Sequence, residues 1–235
     1  MRVVIRLIRA RLLSLAILGI VAFGATLDPG PARAQPPSGF VVARLKYEGG
    51  GDWYDGPSTL TNLARGVRER TPIPVDKIDE ARVSLADEDL FNYPFIYMTG
   101  HGNVHFSDAD VERLRRYLAS GGFLFVDDDY GLDQSFRREL ARVFPDRKLV
   151  DIPFDNPIYH CFYDFPHGPP KIMEHDGLPA EGMGIFDGSR LVIFYAYQTD
   201  IGDGLEDAEV HGNPPEKREE AMKMAINVVV YALTH

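Results

Sequence analysis

Between residues 94 and 131 the chain passes from an apolar run through an amphipathic stretch into a second apolar run, and this succession limits the fold more than any other feature. Pro94 to Met98 reads as a buried strand that breaks at Thr99-Gly100-His101-Gly102. Ser107 with Asp110 forms a capping-box pattern, and Val111, Leu114, Tyr117 and Leu118 then mark one face of a helix. Gly121 stops that helix, and Phe123 to Val126 runs without a polar break into Asp127-Asp128-Asp129-Tyr130-Gly131. Uninterrupted apolar strands joined through a helix belong to a parallel sheet covered on both faces.

The remainder of the chain keeps this rhythm. Phe40 to Tyr47 reads as the first strand, residues 57 to 70 as an amphipathic helix opened by Pro57, and Val83 to Leu85 as a short strand. Phe136, Leu140 and Val143 suggest a further helix, and Leu149 to Ile152 a strand. Asp187-Gly188 between two apolar runs signals a hairpin, and residues 215 to 233 close the chain as a helix. Residues 153 to 182 break the pattern with six prolines, yet Phe154, Tyr159, Phe162, Tyr163 and Phe165 are too aromatic for a solvated linker. The expectation is a three-layer α/β/α domain over residues 40–235 with a mainly parallel sheet, a C-terminal helix and a long irregular cover segment.

The N-terminus reads as an export signal, residues 1–34. Arg2, Arg6, Arg9 and Arg11 precede an apolar run from Leu12 to Ala25, and Ala32-Arg33-Ala34 fits a small-x-small cleavage site before Gln35. The apolar run is shorter than the roughly 20 residues of a comfortable bilayer span, which favours a cleaved peptide over an anchor. Residues 35–39 form a flexible lead-in, and nothing later resembles a membrane span. Removing residues 1–34, with five arginines and one aspartate, turns the formal charge of −10 into −14. Such a field repels nucleic acid. Cys161 is the only cysteine, so no intramolecular disulfide forms and the fold rests on its apolar core.

In an open parallel sheet, ligands bind beyond the carboxyl ends of the strands. Polar side chains accumulate there: Glu48, Asp52, Trp53 and Tyr54 after the first strand, His101 and Asn103 after the third, Asp127, Asp128 and Asp129 after the next, and Gln198, Thr199 and Asp200 after the last. Tyr159 and His160, from the irregular segment, join them as ligand-binding candidates. Three adjacent carboxylates repel one another and call for a cation, donors or a helix N-terminus. Asp127, Asp128 and His101 are the candidate metal ligands, and His101 with Asp128 the candidate catalytic pair. Gly49-Gly50-Gly51 lacks the Lys-Ser/Thr of a phosphate loop, and the neighbours His160 and Cys161 do not make a nucleophile and its base.

The run Phe95-Ile96-Tyr97-Met98-Thr99-Gly100-His101-Gly102, the segment Gly121-Gly122-Phe123-Leu124-Phe125-Val126-Asp127-Asp128, and Asp155-Asn156-Pro157-Ile158-Tyr159-His160 resemble the bacterial domain-of-unknown-function 4159 family. Leu114 to Leu118 and the closing Asn227 to Leu233 add to the likeness, which spans nearly all of the chain after the signal. The resemblance implies a glutamine-amidotransferase-like, flavodoxin-like fold, similar to trehalose-utilisation-type domains. It also implies an association with envelope systems containing MoxR-type ATPases and von Willebrand A domains. In class I amidotransferases a nucleophilic cysteine follows the Gly-Gly strand; here Asp127 to Asp129 stand in that place. Glutamine hydrolysis through a thioester is therefore not expected.

Three functions follow as expectations for an exported, periplasmic or envelope protein. The first is a binding or accessory module for a small polar or carbohydrate-like ligand. The second is a metal-assisted hydrolase around Asp127, Asp128 and His101. The third is a scaffold for an envelope partner protein.

Overall fold

The computed structural model describes residues 38–235; the export signal expected over 1–34 and most of the lead-in 35–39 lie outside the described residues. In chain order the elements are β1 (Ala43–Lys46), α1 (Thr59–Arg70), β2 (Ala81–Ser84), β3 (Phe95–Met98), α2 (Asp108–Ala119), β4 (Phe123–Asp127) and α3 (Asp133–Val143). There follow β5 (Val150–Asp151), β6 (Glu181–Asp187), β7 (Arg190–Tyr197), α4 (Ile201–Leu205), α5 (Ala208–His211) and α6 (Pro215–Thr234). The two short helices α4 and α5 carry no apolar period long enough to read from the sequence. Among the described residues no helix is long and apolar enough to cross a membrane.

The seven strands stand in the order β2-β1-β3-β4-β7-β6-β5. The first five are parallel, with β3 and β4 paired from Phe95–Phe123 to Met98–Val126 and β4 and β7 paired from Leu124–Ile193 to Asp127–Ala196. β6 then runs antiparallel to β7, and β5 antiparallel to β6. The Asp187-Gly188 signal is the β6–β7 turn, where Gly188 adopts a left-handed φ of 63°. The parallel order is the doubly wound one, in which the chain reverses its progression between β1 and β3 and leaves a crevice beyond their carboxyl ends.

Strand pleating sorts side chains between the two covering layers. Phe95, Tyr97, Phe123 and Phe125 face α1 and α6, packing with Leu60, Leu63, Val67, Met224 and Val228. Ile96, Met98, Leu124 and Val126 face α2 and α3, among Leu114, Leu118, Phe136 and Leu140. The expected capping box starts α2: Ser107 Oγ accepts from Asp110 N at 3.1 Å, and Asp110 Oδ2 accepts from Ser107 N at 3.0 Å.

The irregular segment is an ordered cover. Asn227 of α6, wholly buried, fastens it: its Nδ2 donates to the carbonyls of Ile158 and Tyr163, and its Oδ1 accepts from Tyr163 N at 2.7 Å. Tyr159 and Ile158 sink into the core beneath. Further along, Ile172 N donates to Thr199 O at 2.8 Å, so the segment ends against the loop that follows β7.

Helix α4 lies so close to α6 that a Cβ on Gly204 would stand 2.4 Å from the Ala221 Cβ. Neither atom belongs to a flexible side-chain end, so α4 itself must shift to admit a methyl group. We expect Gly204→Ala to lower unfolding free energy by about 1 to 3 kcal/mol, read from urea denaturation; an unchanged midpoint contradicts this packing.

Candidate functional site

The loop after β1 is held by a buried cation. Arg44, with 0% exposure, pairs with Glu80 at 2.8 Å and donates to the carbonyls of Trp53, Asp55 and Gly56. This fixes the backbone that carries Asp52 and Asp55 and leaves their side chains free to face the crevice. Asp52 in turn receives the backbone N–H of His101, and its Oδ2 lies 3.1 Å from His101 Nδ1. The same imidazole stands 3.6 Å from Asp55 through Nδ1 and 3.7 Å from Asp129 through Nε2. Asp52, Asp55 and His101 therefore place three ligand-capable atoms within 4.8 Å of one another.

The three adjacent aspartates separate by the pleat. Asp127 follows Phe125 onto the α1 and α6 side, where its carboxyl accepts from Ile201 N at 3.2 Å, Gly202 N, Thr199 Oγ1 at 3.3 Å and Tyr97 OH at 3.4 Å. Gly202 is required there, since a Cβ would stand 2.8 Å from Asp127 Oδ2. Asp128 follows Val126 to the opposite side and accepts from Leu132 N at 3.2 Å, at the start of α3. Asp129 alone meets His101. The expected metal set of Asp127, Asp128 and His101 is thus not one cluster: alternation along an extended backbone drives two neighbours apart. The pairing of His101 with Asp128 gives way to His101 with Asp129 for the same reason.

Beside Asp129 lies the expected Asp200, joined by Asp203 and Glu206, which no motif announced. One oxygen each from Asp129, Asp200 and Asp203 fall within 4.8 Å of one another, as do ligand atoms of Asp203, Glu206 and His211. His211 Nε2 is 2.7 Å from Glu206 and 3.3 Å from Asp203. Asp203 sits three residues after Asp200 on α4, with glycines on both sides; that spacing just past a strand end was the available signal. Asp55 was the third acid-rich position of the first loop, one residue beyond Tyr54.

Other expected residues have local duties. Asn103 clasps Gly49 O at 3.1 Å and receives Arg138 at 2.9 Å, joining two loops. Tyr159 is buried in the core away from the crevice, and His160 bonds Phe154 O at 2.6 Å and Asp164 at 2.5 Å on the cover. Neither joins the site, because the cover is pinned to α6 by its middle. What reaches the crevice is the later part of that segment: His175 lies 3.0 Å from Asp200 Oδ2 and stacks on Tyr130 at 4.4 Å between centroids.

Glu48 and Trp53 border a separate hollow of about 360 Å3 beyond the carboxyl ends of β1 and β2. Tyr47, Leu85 and Phe106 form its apolar floor, and Lys46, His105 and Asp110 stand at its polar rim. A larger hollow of about 550 Å3 lies at the other end of the sheet, between the ends of α2 and α3 and the β6–β7 hairpin. Its arginines are already engaged, Arg115 with Val143 O and Arg147 with Asp187.

Burial raises the crevice acids. Asp127 is pushed up to about 8 by burial against the pull of its Gly202 bond, with Asp200 and Asp203 adding repulsion. Asp129 rises to about 10 through burial, a shared hydrogen bond with Asp55 and repulsion from Asp203. Burial opposes ionisation of Asp55 too, but the Asp129 bond, the Gly56 backbone and His101 outweigh it and hold that carboxyl low. Asp200 rises to about 6 through burial, partly offset by His175.

A carboxyl raised on folding binds more protons in the native than in the unfolded chain, so stability declines as pH rises from the ordinary carboxyl range through the folded value. In chelator, unfolding free energy should fall between pH 6 and 8 by about 1.4 kcal/mol per pH unit for each acid still protonated in the fold. Urea titrations across that range check it, and Asp127→Asn should flatten the slope.

No curated protein matches the chain. The sequence model of one family, described as domain of unknown function (DUF4159), matches residues 41–233. That match covers most of the sequence, and the chain belongs to the DUF4159 family.

Proposed function

We propose that this chain is an exported module that binds a small carbohydrate-like ligand in the hollow beside Trp53. The observation that carries the reading is the composition of that hollow: an aromatic wall and apolar floor ringed by Lys46, Glu48, His105 and Asp110, which offer both donors and acceptors. Sugars present apolar faces edged with hydroxyls, and a site of this kind answers both parts of that surface. Its volume, about 360 Å3, lies at the lower end of the range for small-molecule sites, which suits one or two rings. Tyr54, 59% exposed and packed edge-on against Trp53 at 5.6 Å, extends the aromatic surface outward. Export is supported by the basic, apolar and small-x-small succession of residues 1–34.

Trp53 is the only tryptophan, so its emission reports the hollow directly. Titrating the protein with a panel of mono- and disaccharides should shift that emission and raise the melting temperature for at least one member. His105→Ala should then weaken binding by about tenfold, roughly 1.4 kcal/mol. A panel that changes neither emission nor melting defeats the proposal.

A further inference from the structure

We propose that Asp129, Asp200 and Asp203 hold a hard divalent cation of the Ca2+ class, because every ligand atom they offer is a carboxylate oxygen. One carboxylate oxygen from each of the three lies within 4.8 Å of the others. Oxygens about 2.4 Å from a shared centre stand no more than about 4.8 Å apart, so the three carboxylates are close enough to share one ion.

An independent observation on Asp200 points the same way. Its side chain has 0% exposure, and neither carboxylate oxygen accepts a hydrogen bond. Among the described residues, its one near neighbour able to carry positive charge is His175, whose Nε2 lies 3.0 Å from Oδ2. Asp127, equally buried one strand away, has four donors around it, so this fold can satisfy a buried carboxyl where that is what the position needs. Asp200 is aimed instead into the space between Asp129 and Asp203. The backbone there adopts a left-handed φ of 54° at a non-glycine residue, and Gln198, two positions earlier, does the same at 58°. A buried acid without donors is costly unless a cation faces it.

Among the described residues no permanent side-chain cation fills that role. The basic groups within 4.0 Å of the three carboxylates are imidazoles: His101 beside Asp129, His175 beside Asp200 and His211 beside Asp203. No lysine or arginine among the described residues makes an ion pair with any of the three. The neighbouring Asp52, Asp55 and His101 triplet is half-exposed and internally hydrogen-bonded, and it lacks any such orphaned group. Three carboxylates fill part of a calcium shell of six to eight oxygens, which leaves positions for water or a ligand hydroxyl. The cation site shares no residue with the Trp53 hollow and stands or falls independently of a saccharide there.

The test is calorimetric titration of the protein with CaCl2 after EDTA treatment and dialysis, with melting temperature measured alongside. We expect one equivalent of Ca2+ per chain and an EDTA-reversible rise in melting temperature. Asp200→Asn should weaken binding roughly 100-fold by removing one charged ligand, whereas the exposed Asp155→Asn should bind as the parent does. If Asp200→Asn does not fold, Asp203→Asn takes its place with the same expectation. The proposal is overturned by the absence of heat and of a melting shift up to about 5 mM Ca2+, above the range of weak extracellular calcium modules. It is equally overturned if the folded ligand variant binds like the parent, or if Asp52→Asn abolishes binding while Asp200→Asn retains it.

Discussion

At the end of β4, the Asp127 carboxyl gathers the backbone N–H groups of Ile201 and Gly202, the Thr199 hydroxyl and the Tyr97 hydroxyl. Through these bonds one side chain joins three adjacent strands and sets where α4 begins. Asp200 and Asp203 flank the anchored residues, so their positions follow from that attachment. The glycine at 202 is what lets the backbone approach closely enough. Loss of the carboxyl would leave buried N–H groups without acceptors, a penalty comparable to a broken buried hydrogen bond for each.

A second attachment organises the facing wall. Arg44 lies wholly within the protein, over the Tyr97 ring at 5.6 Å, and its guanidinium binds the carbonyls that shape residues 53 to 56. The planar fork of arginine suits this better than lysine, because several carbonyls in different directions must be met at once. The crevice is thus framed by one buried acid and one buried base. Each is engaged by the backbone of a loop, and the loops can then direct Asp52, Asp55, Asp200 and Asp203 toward solvent or toward one another.

The cover segment explains how a stretch rich in proline becomes ordered. Its carbonyl and amide groups find partners on Asn227, while Tyr159 and Ile158 provide the apolar weight that holds it on the sheet. Backbone satisfaction by a side chain of a distant helix substitutes for a regular ladder. The chain then returns to the crevice at Ile172 and brings His175 beside Asp200.

Much of this architecture was readable from residue order alone. The apolar runs at 95–98 and 123–126, the Ser107 and Asp110 cap and the Asp187-Gly188 turn each specify local structure, because period, cap chemistry and turn conformation act over a few residues. Chain order also placed acids and a histidine at the carboxyl ends of strands, which is where the crevice lies. Even the parting of Asp127 from Asp128 was implicit in the alternation of Phe125 and Val126. What residue order could not decide was which acids meet. Asp129, Asp200 and Asp203 come from segments about seventy residues apart, brought together by the pairing of β4 with β7 and by the Asp127 bonds, and α4 is too short to carry a period of its own. Long-range pairing of strands made that choice, since only there do burial, charge and hydrogen bonding act on one another across the chain.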